Sequence, residues 1–455
     1  MNILVMLIAA ISLAAIAFFI LKPARVLAIY AFTRPIIQPF ILLNYKLVGI
    51  PYSYLWALIL PAAYAVNFFG GRWKLICYKS TPLFVLLIIA VLSSVVSIDI
   101  GASVEGTIKL LSGFLAFGMA YNSVKNMKQA NTIIMAVVLC SVVPMIFGYY
   151  QFAIGNYSQI HFAAVQRVNS VFGVGNAYGI FLSITICASL MLLLNPGADK
   201  KVRFLVLGLL ASMVASQVLA LNRGTWLALT CAILIALVPY RKKVKIRWFI
   251  AGGIIIAVVF SGVIVKRFSE TTYRYDGEVK DTLAGRVETW QMLAPHIMER
   301  PILGHGPGTT EDSDEGGGDT RLAPHNDYVR LAMDVGLLGC AVYIYFLLSL
   351  PFFYLRKRAV LRGSLWRFNF AMGVLTTYFI VISATQNIVY NLTNFGLFLI
   401  LNGVVIKLNV LEANATSVRI LTHTYRKPGF ERVRRALAEL PDQPKPHGAG
   451  AGESP

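Results

Sequence analysis

Two histidines and three arginines carry most of the chemistry open to this chain. His325 lies in A-P-H-N-D-Y-V-R-L-A-M-D-V-G (323–336). An imidazole takes a proton near neutral pH, so it is the natural general base for an acceptor hydroxyl, and Asn326 or Asp327 could orient it. His305 stands in G-H-G-P-G (304–308), either as a second working imidazole or as part of a turn. Arg223 interrupts S-Q-V-L-A-L-N-R-G-T-W-L-A-L-T-C (216–231). Arg167 opens R-V-N-S-V-F-G-V-G-N-A-Y-G with Asn169, Ser170 and Asn176, and Arg286 sits in G-R-V-E-T-W beside Glu288 and Trp290. Three guanidiniums brought to one face suit a diphosphate or another polyanion, because each offers planar paired donors and a permanent charge. Taken singly, each could instead snorkel to headgroups or pair with a nearby acid.

Other chemistries find no support. Gly304, Gly306 and Gly308 lack the strand–loop–helix context of a nucleotide loop. No His, Cys or carboxylate cluster has metal-ligand spacing, so neither a metal nor a bound cofactor is expected. The five cysteines are scattered in or near apolar runs and read as packing residues.

The elements that must position these residues are apolar. The 455 residues are 57% hydrophobic and 14% charged, with mean hydropathy +0.67, whereas a soluble domain carries roughly 25% charged residues. Apolar runs at 3–21, 27–44, 53–70, 81–97, 104–122, 132–154, 176–195, 204–221, 225–240, 248–266, 334–354, 368–387 and 391–408 predict an all-α polytopic membrane protein of about 12 spans. Arg34-Pro35 interrupts the 27–44 run and makes it a candidate re-entrant segment. The first 21 residues lack a basic leader and a clear cleavage site, and read as a retained span.

Orientation follows from charge. Arg72/Lys74/Lys79, Lys125/Lys128, Lys200/Lys201/Arg203, Arg241–Arg247 and Arg356–Arg367 all fall on one side if every span crosses once, and by the positive-inside rule that side is the cytoplasm. The net charge of +20 is explained in this way, without nucleic acid, for which no basic-aromatic soluble surface exists. Residues 267–330 then lie outside, with twelve acidic against seven basic residues. The expected organisation is a transmembrane domain (1–408), an external loop carrying short helices and the histidine motif (267–333) within it, and a basic cytoplasmic tail (409–455). Within the tail, 429–440 reads as an amphipathic helix and the remainder as disordered. An arginine at mid-membrane costs roughly 2.5–3.5 kcal/mol. The flanking basic loops place Asn222-Arg223-Gly224 at an outer turn, on the same side as Arg167, Arg286 and His325.

Taken together, the N-R-G-x-W-L-A segment (222–228), the P-x-x-G-x-G-x-G stretch (301–308), H-N-x-Y with the following D-x-G-L-x-G (325–339), and the earlier R-V-x-S-x-F-G-x-x-N-A-Y-G (167–179) resemble the O-antigen ligase and polymerase family. The resemblance covers roughly 165–340. It implies a glycosyltransferase of the bacterial inner membrane with a periplasmic working face, taking a glycan from an undecaprenyl-diphosphate donor to a sugar hydroxyl, without metal and with inversion. Under that resemblance Arg223 and Arg286 hold the donor diphosphate with Arg167 assisting, and His325 accepts the proton from the acceptor hydroxyl. Asn326, Asp327, Asn176 and His305 are supporting residues. The chain departs from the family pattern at Pro324 and in the acidic insert 311–319, a candidate lid. The acceptor is lipid A core for a ligase or another lipid-linked glycan for a polymerase; the shortness of the 155–175 loop favours the ligase. A transporter or flippase is the competing class, but it would carry its charges at mid-membrane on broken helices.

Overall fold

A computed structural model describes residues 22–42, 46–47, 50–155, 167–195, 199–242, 244–259, 261–262, 265, 272–275, 278–310, 324–356 and 365–425. The predicted span 3–21, the insert 311–319, the helix 429–440 and the disordered end fall outside these residues. Clustering of contacts separates Met1–Leu408 from Asn409–Pro455.

The first helices are α1 (Pro23–Leu42), α2 (Tyr52–Phe69), α3 (Thr81–Val95), α4 (Ile100–Ser123), α5 (Met127–Leu139) and α6 (Val142–Ile154). A 3-10 turn, Ser170–Phe172, leads into α7 (Gly175–Leu193), α8 (Lys200–Leu219), α9 (Arg223–Tyr240) and α10 (Ile246–Val259). Then come α11 (Thr282–Glu299), α12 (Asp327–Asp334), α13 (Gly336–Arg356), α14 (Trp366–Ser383) and α15 (Asn394–Tyr425). Short polar side chains start several of them: Asp99 accepts from Ala102 N, Asn126 from Gln129 N and Asp199 from Lys201 N, each at 3.0 Å. Each such cap satisfies one of the amide donors that a first turn leaves open.

Seven helical stretches among the described residues are long and apolar enough to cross a membrane, one of them α5 and α6 taken together (Met127–Ile154). Many large apolar side chains remain exposed, among them Phe204, Leu207, Leu234 and Val238. Water would make such faces costly, whereas a bilayer accepts them. The chain is a polytopic helical membrane protein. At its centre α14 is buried along most of its length and packs on α9, α13 and α7. The rings of Phe379 and Phe398 stack there with centroids 3.8 Å apart.

Three expectations are corrected in detail. Arg34-Pro35 does not interrupt the second run, because α1 continues through both Pro35 and Pro39. The run 132–154 is two helices, broken at Cys140-Ser141, with Pro144 in the first turn of α6 where its missing N–H costs nothing. The run 368–387 stops as a helix at Ser383, and residues 384–393 form a turn. Apart from the helices, two short antiparallel hairpins in connecting segments join β1 (Lys46–Leu47) to β2 (Ile50–Pro51) and β3 (Thr272–Tyr275) to β4 (Glu278–Asp281).

The bundle has two chemically different ends. At one, Tyr240 OH donates to Tyr354 O at 2.8 Å, the Tyr78 and Phe353 rings meet, and Lys79 and Lys407 lie over aromatic faces. Arg25 and Lys128 line one groove between α1 and α5. The helices α9 and α13 both run toward this basic end, and α14 returns from it. Their other ends bring Arg223, Gly336 and the 384–393 turn together.

Candidate functional site

The hub of that second end is the turn after α14. Arg286 Nη1 donates to Thr385 O at 3.2 Å, across 99 residues of sequence. A Cβ placed on Gly224 would lie 3.5 Å from Thr385 Oγ1, so the first turn of α9 abuts the same residue. Asn222 caps α9 by accepting from Thr225 N at 3.3 Å, and Leu221 before it takes the left-handed conformation (φ 49°). Trp226 Nε1 donates back to Gln217 O at 2.8 Å, closing the α8–α9 turn that presents Arg223.

His325 is held from both sides. Upstream, Pro324 O accepts from Trp290 Nε1 at 2.7 Å, so α11 carries Arg286 and also pins the histidine segment. Downstream, Asn326 N donates to Asn387 Oδ1 at 3.0 Å, and the Asn326 side chain caps α12 through Tyr328 N and Val329 N. The Asp327 carboxylate accepts from Ile388 N at 2.7 Å, from Val389 N at 3.1 Å and from Tyr343 OH at 3.4 Å. These tethers keep His325 in the left-handed region (φ 44°), a conformation that costs of order 1–3 kcal/mol and persists only where neighbours enforce it.

The Asn326 side-chain oxygen is thus committed to backbone amides, and the Asp327 carboxylate to backbone amides and the Tyr343 hydroxyl, and no described hydrogen bond joins either side chain to the imidazole. They position the histidine through the chain itself. Burial pushes the Asp327 carboxyl up to about 6, against the pull of the Val389 and Ile388 amides, Ser383 and Arg330.

The charges facing one another are mostly of one sign. Burial first, then the nearby Arg223, lowers the pKa of Arg286. His325 keeps an open edge to solvent, yet the protein packed around its ring and then the Arg286 guanidinium hold its pKa down to about 4. Among the described residues no carboxylate pairs with Arg223 or Arg286. Two guanidiniums and an imidazole with a lowered pKa brought to one turn could hold an anion with a base beside it.

Arg167 and Asn176 reach this end by another route. Ser170 Oγ donates to Pro144 O at 2.6 Å and Ser170 N to Gln151 Oε1 at 2.8 Å, fixing the motif on α6. Gly175 packs close to Ala220 O, and Gly179 to Thr225, which sets the half-exposed Asn176 next to the α8–α9 turn. His305 is placed differently. It is buried against the α3–α4 turn, where His305 O accepts from Ile98 N, while its ring lies near Met333 O and Glu299. No described contact links it to His325.

Several residues of the site were not singled out by sequence reasoning: Thr385 and Asn387 in the hub, and Asp334, Arg330 and Tyr390 behind it. Asp334 is fully buried, accepts from Gly308 N at 3.0 Å and Thr310 N at 3.1 Å, and also takes the Thr310 hydroxyl. Arg330 lies 3.8 Å from that carboxylate and 4.7 Å from the centre of the Tyr390 ring. The visible signal was a polar Thr385-Gln386-Asn387 triplet inside an apolar run, with Asp334 spaced one turn from Arg330.

With Arg223, Arg286 and His325 on one side of one turn, comparison with known families becomes informative. Residues 208–344 match the O-antigen ligase family. No curated protein matches the chain. The O-antigen ligase stretch runs from within α8 into α13, so it holds Arg223, Arg286 and His325 and leaves out Arg167 and the 384–393 turn. It supports activity of the glycan ligase or polymerase type, for which a lipid-linked glycan is the class of substrate.

Proposed function

We propose that the protein transfers a glycan from an undecaprenyl-diphosphate donor to the hydroxyl of an acceptor sugar, as a ligase acting on lipid A core at the periplasmic face of the inner membrane. The observation that carries this reading is the convergence of Arg286, the Arg223-Gly224 turn and the His325 segment on the 385–387 turn, with no described carboxylate to neutralise either arginine.

In this mechanism the His325 imidazole takes the acceptor hydroxyl's proton as its oxygen attacks the anomeric carbon from the face opposite the diphosphate. The bond from that carbon to the diphosphate oxygen breaks, and the configuration inverts. Negative charge builds on the departing lipid diphosphate, where Arg223 and Arg286 stabilise it and Arg167 assists. Such fixed donors, aimed at developing charge, supply about 3–4 kcal/mol each in well-studied sites. A bound dianion also offsets the field of Arg286 at His325, so the imidazole becomes a stronger base once donor is in place.

The deciding assay combines purified protein and lipid-diphosphate glycan with and without lipid A core. Sugar attached to lipid A core marks the ligase, and chain growth without it marks the polymerase, which would use the same donor and residues. His325→Ala is expected to abolish either product while leaving membrane insertion intact. Full activity in that variant would remove the base assignment.

A further inference from the structure

Among the described residues, Arg34 is a buried charged side chain that the transfer mechanism does not use. It is only 3% exposed, in the interior of α1. Its Nη1 donates to Gln38 Oε1 over a long 3.4 Å, and that oxygen already accepts from Thr393 Oγ1 at 2.8 Å. Tyr30, one turn back, is its other partner. Its Nε is buried with no partner, and no carboxylate among the described residues pairs with it. A guanidinium so placed is costly, and a membrane protein retains one where it is used.

Its height in the bundle follows from its neighbours. Arg25, on the first turn of α1, shares a groove with Lys128 at the basic end. Gln38 meets Thr393 in the turn that carries Asn394, and Asn394 Nδ2 donates to Ala177 O beside Asn176. α1 also packs on the Ser170–Phe172 turn. Arg34 lies about 14 Å along the helix from Arg25 and about 6 Å from Gln38. It therefore sits in the half of the bundle that holds the site, on the flank built by 167–177 and 391–394. The same flank leaves buried oxygens of Asn169 and Asn394 without hydrogen-bond donors. One unmet donor of Arg34 and two unmet amide oxygens on the same flank match a ligand that carries both an oxyanion and hydroxyls.

We propose that Arg34 binds an oxyanion borne by the glycan or its acceptor, a phosphate ester or a sugar carboxylate distinct from the donor diphosphate, and so selects acidic sugar substrates. The oxyanion takes the place of the Gln38 oxygen on the guanidinium, and the sugar hydroxyls donate to Asn169 and Asn394. This rests on the transferase reading above.

The test uses full-length protein in detergent, titrated with glucose 6-phosphate, glucuronate and neutral glucose, with inorganic pyrophosphate reporting on the diphosphate site. Wild type is expected to bind an acidic sugar at least tenfold more tightly than glucose. A phosphate preference assigns a phosphate ester, and the reverse assigns a carboxylate. Arg34→Gln should bring acidic-sugar binding down to the glucose level with pyrophosphate binding kept, and Arg223→Gln should do the opposite. Gln38→Glu supplies a second readout should Arg34→Gln fail to fold. Its internal carboxylate pairs with Arg34, so the melting temperature should rise while acidic-sugar binding falls at least tenfold. Unchanged acidic-sugar binding in Gln38→Glu or Arg34→Gln overturns the proposal. Pyrophosphate binding that survives Arg223→Gln instead counts against the transferase reading.

Discussion

Replacing Asp327 separates two ways in which it could serve His325. Its carboxylate accepts from two buried amides of the hub, Ile388 N at 2.7 Å and Val389 N at 3.1 Å. Asp327→Ala strands both, and an orphaned buried donor costs about 1–3 kcal/mol, giving about 2–6 kcal/mol for the pair. Asp327→Asn keeps one oxygen for both amides, and its NH2 faces the Tyr343 and Ser383 hydroxyls, either of which can accept. Its cost is then about 1 kcal/mol or less. Because a displacement of about 1 Å can cost a hundredfold in rate, Asp327→Ala should lose transfer activity by about that factor, while Asp327→Asn stays within about tenfold of wild type. The pH dependence adds a check. The folded-state pKa is raised to about 6, so the folded chain holds this proton more tightly than the unfolded one. Its contribution to stability falls as pH rises from about 4 to 6, and Asp327→Asn removes that slope. Transfer kinetics and thermal unfolding in detergent read both effects. Equal loss of activity in the two variants, with folding intact in Asp327→Asn, would refute the clamp and restore a direct electrostatic role toward the imidazole.

Other outcomes follow from the same geometry. With His325 held down to about 4, kcat/KM should stay level below pH 6 and decline only as pH approaches 4; Arg286→Gln should move that limb toward 6.5, since it removes a cation that disfavours the imidazolium. The kcat limb, measured with donor bound, should lie above the kcat/KM limb. Gly306 has φ +115° and any Cβ there would strike Ser97 and Ser103, so Gly306→Ala should destabilise by more than about 1 kcal/mol, read as a lower melting temperature. Cysteines introduced at 223 and 325 should react with an impermeant maleimide from the outer side alone, whereas state-dependent labelling from both sides would favour a transporter.

The clamp also shows what positions the His325 segment. His325 sits on a turn between α11 and α12, away from the rigid spans. Its position is borrowed from α14 through Asn387, Ile388 and Val389, and from α11 through Trp290. The same α11 delivers Arg286 to Thr385, so His325 and Arg286 are both tied to a single turn of the bundle. Asp334 plays a parallel part by gathering Gly308 and Thr310 under the end of α12.

Much of this was legible in the residues alone. Hydropathy marks the spans because a bilayer demands about 20 apolar residues per helix, and the basic loops mark the ends because charge resists translocation. Arg223 stood out as a costly charge between two apolar halves, and His325 as a titratable group within a motif. Those are local properties, and a sequence displays them directly. Which atoms Asn326 and Asp327 engage, and that Arg34 lies in the same half of the bundle as the other arginines, are properties of contacts made across 61 to 355 residues. Hydrogen-bond geometry of that range is fixed by how the helices pack. Only the folded chain could therefore assign Asp327 to the hub and set the guanidiniums in one field.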